Sequence, residues 1–319
     1  MKKLPRLLAI LLCFPLLGNL FMAEDERPQR EERMASTAGF SVIVEMQNGS
    51  YCYDPEEVLP FMMASMLVDQ KGEELCRAAA VVCRTNLVYK WQQENRPGQL
   101  ILEDTGMACR DEITDHMQQA AADTVGIVLT YEGEVIPAPF FYMSSGKTRD
   151  TGLPFLKSVD CSDNLYDKEY LLQYHYRKKD FYARIKEISG WKFCNSLQDM
   201  ELERDDSGYV KVIHCTGEEM VLTADALCQV MELRSPDFDW EEQENLIMIR
   251  TRGIGHGIGF DVCYGARLDA QGMEYRQILE YFYKDIMHVN RFRNTGNHTN
   301  TRYLYLRPRS RLEKGKVLV

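Results

Sequence analysis

The sequence lacks an excess of positive charge, internal repeats and low-complexity tracts. Its 48 acidic residues outnumber its 38 basic ones, and the formal net charge is -10. Because proteins that bind nucleic acid need a basic face, nucleic acid is excluded as the main partner. The chain is 45% hydrophobic and 27% charged, which provides enough apolar material for a core and excludes wholesale disorder.

A CxxC pair is also missing, although the chain contains ten cysteines. Such pairs are typical of zinc sites and redox centres. The spacing of the cysteines does not match the disulfide ladder of a small secreted domain either. Cys76 and Cys83 lie seven residues apart, which is about two helical turns. We expect both to line one buried helix face as small apolar side chains.

The N-terminus combines positive charge with an apolar run. Three basic residues precede a largely apolar stretch at 7–23, whose length is marginal for a hydrocarbon core of roughly 30 Å. Residues 1–23 are predicted to be an uncleaved membrane anchor, with a cleaved signal segment as the alternative, and residues 24–40 a polar linker. Since positive flanks stay in the cytoplasm, the rest of the chain is expected on the cell-wall or intermembrane side of the cell membrane.

Residues 41–290 are predicted to form a single α+β body with a cleft, because strand and helix patterns alternate without regular βαβ units. The clearest patterns are a strand at 41–46, a helix at 73–91, a hairpin at 127–136 and a helix from about 275 to 287. The tail, 291–319, is rich in arginine. It is either a frayed, solvated terminus or a contact to an anionic surface such as wall polymer or lipid headgroups.

Three segments of the body follow one another in an order typical of one protein family. The first is ELCRAAAVVCRT at 74–85. The second joins GIVLTYEG at 126–133 to FYMSSGKT at 141–148, and the third joins GIGHGIG at 253–259 to YRQILEYFY at 275–283. Together they resemble the stage II sporulation protein D family, which includes peptidoglycan lytic transglycosylases and LytB-type amidase enhancers. The resemblance covers roughly residues 42–290 and implies peptidoglycan glycan strands as the ligand.

The resemblance also implies where the catalytic acid would be. In proteins that this chain resembles, the acid that protonates the glycosidic oxygen is a glutamate eight residues before the first motif. Counting back eight residues from Glu74 gives Met66, whose thioether has no proton to donate. General acid catalysis typically contributes about 10²–10⁴-fold to the rate, so catalysis becomes an open question. Glu74 is the nearest substitute, and its other interpretation is a solvated helix residue.

A second segment of this chain resembles the zinc-binding segment of some family members but lacks one of its cysteines. Cys109 and His116 resemble two of its ligands, but Met117 stands where the second cysteine would be, and no histidine precedes His116. Catalytic zinc takes three protein ligands and structural zinc four. We therefore expect no metal and no cofactor.

The remaining motif residues are candidates for contact with the glycan. Glycines around His256 would free its imidazole for a ligand, although a histidine that braces its own turn is equally consistent with the pattern. The serines and glycine of the second motif could donate to sugar groups or form a bare turn, and the arginine at the end of the first motif could orient a carboxylate or a sugar, or cap carbonyls. The predicted substrate-binding residues are Arg84, Ser144, Ser145, Gly146, Thr148, His256 and Tyr264.

Three hypotheses about function follow. The favoured one is a glycan-strand binding protein that has lost catalysis and acts in cell-wall remodelling during sporulation, with a wall amidase or another sporulation protein as a possible partner. The alternative is an active lytic transglycosylase that uses a displaced acid. The third is a structural protein that keeps the fold without carbohydrate affinity.

Overall fold

The computed structural model describes residues 39–46, 49–94, 98–103, 112–191 and 195–291. The predicted anchor, most of the predicted linker, nearly all of the basic tail and Cys109 lie outside these ranges. Among the described helices, none is both long and apolar enough to cross a membrane.

The described chain forms seven α-helices and fourteen strands. The helices are α1 (Pro55–Leu67), α2 (Glu73–Gln93), α3 (Asp115–Asp123), α4 (Lys178–Ser189), α5 (Ala224–Met231), α6 (Val262–Ala270) and α7 (Tyr275–Phe282). The strands are β1 (Ser41–Met46), β2 (Gly49–Tyr53), β3 (Gln99–Glu103), β4 (Ile127–Tyr131), β5 (Glu134–Val135), β6 (Phe140–Phe141), β7 (Leu171–Arg177), β8 (Met200–Arg204), β9 (Val210–Cys215), β10 (Leu222–Thr223), β11 (Phe238–Gln243), β12 (Leu246–Arg252), β13 (Phe260–Asp261) and β14 (Met287–Asn290). Several small sheets and separate helices confirm the predicted α+β class.

Helix α1 is capped by the residue that precedes it. The carboxylate of Asp54 accepts a hydrogen bond from the backbone N–H of Glu56 at 2.9 Å, and the carboxylate of Glu57 accepts one from the N–H of Asp54 at 3.0 Å. This reciprocal pair satisfies N–H groups that have no partner within the first helical turn. After the helix, Val68 has a φ of 55°, which is unfavourable for a β-branched residue, so packing around this turn must hold it there.

Helix α2 lies at the centre of the first hydrophobic core. Three successive alanines at 78–80 are fully buried, and their small side chains let α1, α3 and β4 pack closely against the helix. Cys76 and Cys83 are both buried in this core. The structure therefore confirms the helix predicted at 73–91 and the buried position of its two cysteines.

The helix predicted at about 275–287 ends earlier than expected. Helix α7 stops at Phe282, and Asp285 has a φ of 53°, which a continuing helix cannot contain. Residues Met287–Asn290 instead form β14, which pairs antiparallel with β4. The predicted helix end was wrong because the open edge of β4 accepts these residues as a strand, which satisfies their backbone groups through the sheet.

Residues 171–252 form a second hydrophobic core, which we call the inserted subdomain. Its two three-stranded sheets have the strand orders β11-β12-β7 and β10-β9-β8, and helices α4 and α5 pack with them. Aromatic rings contact one another in this core, with Phe181 in edge contact with Trp240 and Phe238 beside Trp240. The backbone N–H of Gly253 donates to the carbonyl of Tyr170 at 2.8 Å, which closes the base of the inserted subdomain. The sequence patterns predicted a single domain at 41–290 and did not indicate this second core.

Arg84 and Glu56 form a buried ion pair that joins α2 to the start of α1. Arg84 is fully buried, and its Nε and Nη2 donate to the two carboxylate oxygens of Glu56 at 2.6 and 2.7 Å. The same guanidinium also donates to the carbonyls of Ala121 at 3.1 Å and Ile127 at 3.2 Å. Arg84 thus orients a carboxylate and caps carbonyls, as one of its predicted alternatives stated, and no part of it is left exposed for a sugar.

Replacing Arg84 with methionine should strongly destabilise the protein, because Glu56, whose side chain is only 11% exposed, would remain as a largely buried charge without its cation. Breaking a buried pair in this way typically costs about 3–5 kcal/mol. Urea unfolding followed by circular dichroism would measure the change in the free energy of unfolding. The control is Arg177→Met, which breaks the exposed pair of Arg177 and Asp180 and should change stability by about 0.5 kcal/mol or less. Similar losses in the two variants would contradict the structural role of Arg84.

Candidate functional site

The second and third sequence motifs lie side by side, although more than a hundred residues separate them in the chain. We call residues 144–148 the serine–glycine turn and residues 253–259 the GHG loop. Met143 and Ile254 exchange two backbone hydrogen bonds at 2.9 and 2.7 Å. A Cβ at Gly253 would lie 2.6 Å from the carbonyl oxygen of Met143, so only glycine permits this approach. The structure therefore brings the predicted ligand residues of both motifs to one place.

Asp261 holds the serine–glycine turn against the start of α6. Its Oδ1 accepts from the N–H of Tyr264 at 2.9 Å, which caps the helix. Its Oδ2 accepts from the N–H of Ser144 at 2.8 Å and from Nδ2 of Asn164 at 2.7 Å. Asp261 is fully buried, and this burial raises the pKa of its carboxyl. Sequence reasoning missed this residue, which an aspartate directly before a helix could have signalled. Asn164 carried no such signal.

The predicted donors of the serine–glycine turn differ in exposure. Ser144 and Thr148 are buried, and Oγ1 of Thr148 accepts from the N–H of Val159 at 2.9 Å. Ser145 and Gly146 keep part of their surface exposed. Ser145 and Gly146 can therefore contact a ligand directly. Ser144 and Thr148 are buried beneath the turn and stabilise its conformation.

His256 makes hydrogen bonds within its own loop. Its Nδ1 accepts from the N–H of Ile258 at 3.1 Å, and the ring also bonds the backbone of Phe140. The imidazole packs against the ring of Phe141 with centroids 5.6 Å apart. Burial lowers the pKa of His256 to about 4, so the ring is neutral at pH 7. This geometry favours the predicted alternative in which the histidine braces its own turn, and its partly exposed surface leaves ring contact with a sugar open.

Tyr264 lies in the first turn of α6 with little exposed surface. Its ring faces that of Tyr281 with centroids 5.5 Å apart, and burial raises the pKa of its phenol. The phenol is therefore neutral at pH 7 and packs with α7. A ligand role for Tyr264 would need contact at the small exposed remainder.

Met66, the predicted acid position, is part of the first core. The side chain is 1% exposed, and its sulfur lies 3.9 Å from the sulfur of Cys83 on α2. Glu74, the substitute candidate, accepts from the N–H of Tyr275 at 2.7 Å and bonds Arg77. Glu74 thereby connects α2 to the start of α7. These hydrogen bonds give Glu74 a structural role that requires no catalytic function.

A polar cluster that sequence reasoning missed includes Gln70, which lies just beyond the end of α1, four residues after Met66. Nε2 of Gln70 donates to the phenol oxygen of Tyr142 at 3.1 Å and lies 3.7 Å from the sulfur of Cys263. Burial, and to a lesser extent the neighbouring Cys263 thiol, raises the pKa of Tyr142. The cluster joins the turn after α1 to the strand before the serine–glycine turn and to α6. It consists of an amide, a phenol and a thiol, which can bind polar groups but carry no carboxyl for acid catalysis.

The zinc-like segment is described only in part, because Cys109 lies outside the described residues. His116 is exposed near the start of α3, whereas Met117 is buried. Next to His116, Arg77 pairs with Asp123 at 3.0 Å and with Glu73 at 3.8 Å, so these carboxylates already have a cation. Within the described ranges, no three His, Cys, Asp or Glu residues are grouped closely enough to hold a metal ion. The absence of a metal stays a prediction.

The lowered pKa of His256 predicts a stability loss in acid. Between about pH 6.5 and pH 4 the unfolded chain binds a proton at this ring and the folded protein does not, so stability falls as the pH falls through that window. The shift corresponds to about 3 kcal/mol. In urea unfolding at pH 7 and pH 4, the stability advantage of the native protein over His256→Gln should shrink by this amount. The exposed control, His175→Gln, should follow the native protein at both pH values, and parallel behaviour of the His256 variant would contradict the assignment.

Comparisons with known proteins agree with the motif resemblance. No model of a known protein family matches the chain. The chain is 27% identical over 258 residues to stage II sporulation protein D of Bacillus amyloliquefaciens, which covers 72% of each protein. It is 28% identical over 180 residues to stage II sporulation protein D of Bacillus subtilis (strain 168), which covers 54% of this chain and 50% of that relative. The chain is therefore similar over much of its length to stage II sporulation protein D of two Bacillus species.

Proposed function

We propose that this protein binds peptidoglycan glycan strands during sporulation without cutting them. The observation that carries the proposal is Met66, a buried thioether at the position where the family resemblance implies a catalytic acid. The names of the relatives support a role in sporulation, and the family resemblance supports the cell wall as its setting. A core methionine can neither donate a proton nor reach a glycosidic oxygen.

Retained binding is supported by the two loops that remain together. The serine–glycine turn and the GHG loop are joined by backbone hydrogen bonds and by buried Asp261. These contacts do not involve Met66, so loss of the acid leaves the arrangement intact. Around it, partly exposed Ser145, Gly146 and His256 offer a hydroxyl, a backbone and a ring to sugar hydroxyl and acetamido groups.

The proposal includes a location and a partner. The predicted anchor at residues 1–23 would hold the protein in the cell membrane with its body on the cell-wall side. A protein that grips glycan strands without cutting them can present them to an enzyme, so a wall amidase or another sporulation wall-remodelling protein is the proposed partner. The arginine-rich tail would add contact to anionic wall polymer or lipid.

Incubation of the full chain, purified in detergent, with purified sacculi tests the proposal. We expect the protein to sediment with the sacculi and to release no anhydromuropeptides, which chromatography of the soluble fraction would detect. Release of anhydromuropeptides would instead establish the lytic transglycosylase with a displaced acid. Failure to sediment, without cleavage, would leave a structural protein.

A variant of the serine–glycine turn locates the binding. Ser145→Tyr should weaken sedimentation about tenfold, equivalent to about 1.4 kcal/mol, because the larger side chain would cover the exposed part of the turn. The matched control is Ser50→Tyr on strand β2, an exposed serine outside the loops. Equal binding by both variants would place the glycan elsewhere.

Restoring a carboxylate at Met66 should destabilise the protein rather than restore cleavage. Met66→Glu puts a charge or an unpaired acid into the core, at a cost of about 3 kcal/mol or more. The control, Met66→Leu, conserves volume and should cost less than about 1.5 kcal/mol. Urea unfolding measures both, and chromatography of digested sacculi detects cleavage. A Met66→Glu protein of native stability that releases anhydromuropeptides would show that the position lines a working cleft.

A further inference from the structure

We propose that Tyr209 of the inserted subdomain is a positioning residue that sets the serine–glycine turn against the GHG loop, and that glycan binding depends on its hydroxyl group. The inference rests on the proposed binding function. Tyr209 lies directly before β9 and is buried. It therefore acts from beneath the loops and does not itself contact the ligand.

The phenol hydroxyl of Tyr209 bonds the serine–glycine turn twice. It accepts a hydrogen bond from the backbone N–H of Ser145 at 3.1 Å and donates one to the carbonyl of Lys147 at 3.2 Å. A phenol can accept and donate at the same time, so one atom fixes both sides of the turn. Ser145 is the residue whose partly exposed side chain is proposed to meet the sugar.

The ring of Tyr209 supports the GHG loop. A Cβ added at Gly257 would lie 2.5 Å from Cζ of the ring, so the glycine backbone rests directly on the tyrosine. The guanidinium of Arg149 lies 5.3 Å from the ring centroid, a distance typical of a cation–π contact. The backbone N–H of Arg149 donates to the carbonyl of Gly257 at 2.7 Å. Tyr209 thus contacts both loops through different parts of one side chain.

The turn that carries Tyr209 is hydrogen-bonded to residues 147–149, which lie outside the inserted subdomain. Arg149 donates to the carboxylate of Asp205 at 2.6 Å, and the same carboxylate group accepts from the N–H of Tyr209 at 3.1 Å. Oγ of Ser207 donates to the carbonyl of Thr148 at 2.9 Å, and Nζ of Lys147 donates to the carbonyl of Asp206 at 2.7 Å. With the turn held at these points, the position of the Tyr209 hydroxyl is set by the inserted subdomain.

Tyr209→Phe removes the two hydrogen bonds to the turn and keeps the ring under Gly257. The matched control is Tyr176→Phe, because the hydroxyl of Tyr176 also donates to a backbone carbonyl, that of Met231 at 2.5 Å, but contacts neither loop. Both variants should unfold at a lower urea concentration than the native protein, because each loses hydrogen bonding of a buried hydroxyl group. Only Tyr209→Phe should also weaken sedimentation of the full chain with sacculi, by about tenfold or more.

Hydrogen exchange separates this inference from the proposed function. The amides at 144–148 should exchange faster in Tyr209→Phe than in the native protein or in Tyr176→Phe, whether or not sacculi are present. If the native chain binds and both variants bind equally well, the positioning role is overturned while the proposed function stands. If the native chain does not bind sacculi, the proposed function fails and the dependence of binding on Tyr209 fails with it. Unchanged amide exchange would overturn the positioning itself.

Discussion

The buried carboxylate of Asp261 is the constraint on which the candidate site depends. A carboxylate removed from water is stable only when its oxygens are hydrogen-bonded, and here the donors come from α6, from Ser144 and from Asn164. Asp261 and α6 lie about a hundred residues or more after Ser144 and Asn164 in the chain, so satisfying one side chain fixes the relative positions of these segments. Moving α6 would leave Oδ1 without a donor, and moving Ser144 or Asn164 would remove one of the two donors to Oδ2. A shift of the serine–glycine turn relative to the helix that follows the GHG loop therefore costs a buried hydrogen bond.

The same principle explains why several motif residues serve the fold. Arg84, Thr148 and the nitrogens of His256 direct their polar atoms inward, where each meets a backbone or carboxylate partner. The sequence motifs that suggested glycan contact therefore report, in large part, how the loops are built. Ser145 and Gly146 keep part of their surface exposed. The backbone of Ser145 is held from the other side by the hydroxyl group of Tyr209.

The α+β class and helix α2 could be predicted from the sequence because they depend on local periodicity and on small residues such as those at 78–80. The end of α7 could not, since it is set by strand pairing between β14 and β4. The second core of the inserted subdomain escaped prediction because its first strand, β7, pairs with β12 across a long stretch of chain, which no local pattern reveals. In the site, the acid position was predicted by counting residues, but its burial depends on the packing of α1 against α2, which spacing alone cannot reveal.

The hydrogen bonds that Asp261 and Tyr209 make to the serine–glycine turn do not involve Met66, and for this reason we propose a binding protein rather than a damaged enzyme. A catalytic carboxyl in a cleft is costly to stability, and replacing it with an apolar side chain that joins the core relieves that cost. The loops have no such conflict, because the contacts of Asp261 and Tyr209 described above involve no residue of α1. Selection for stability could therefore close the acid position without disturbing the surface around Ser145. The inserted subdomain supports this surface, because the hydroxyl group of Tyr209 is hydrogen-bonded to the serine–glycine turn.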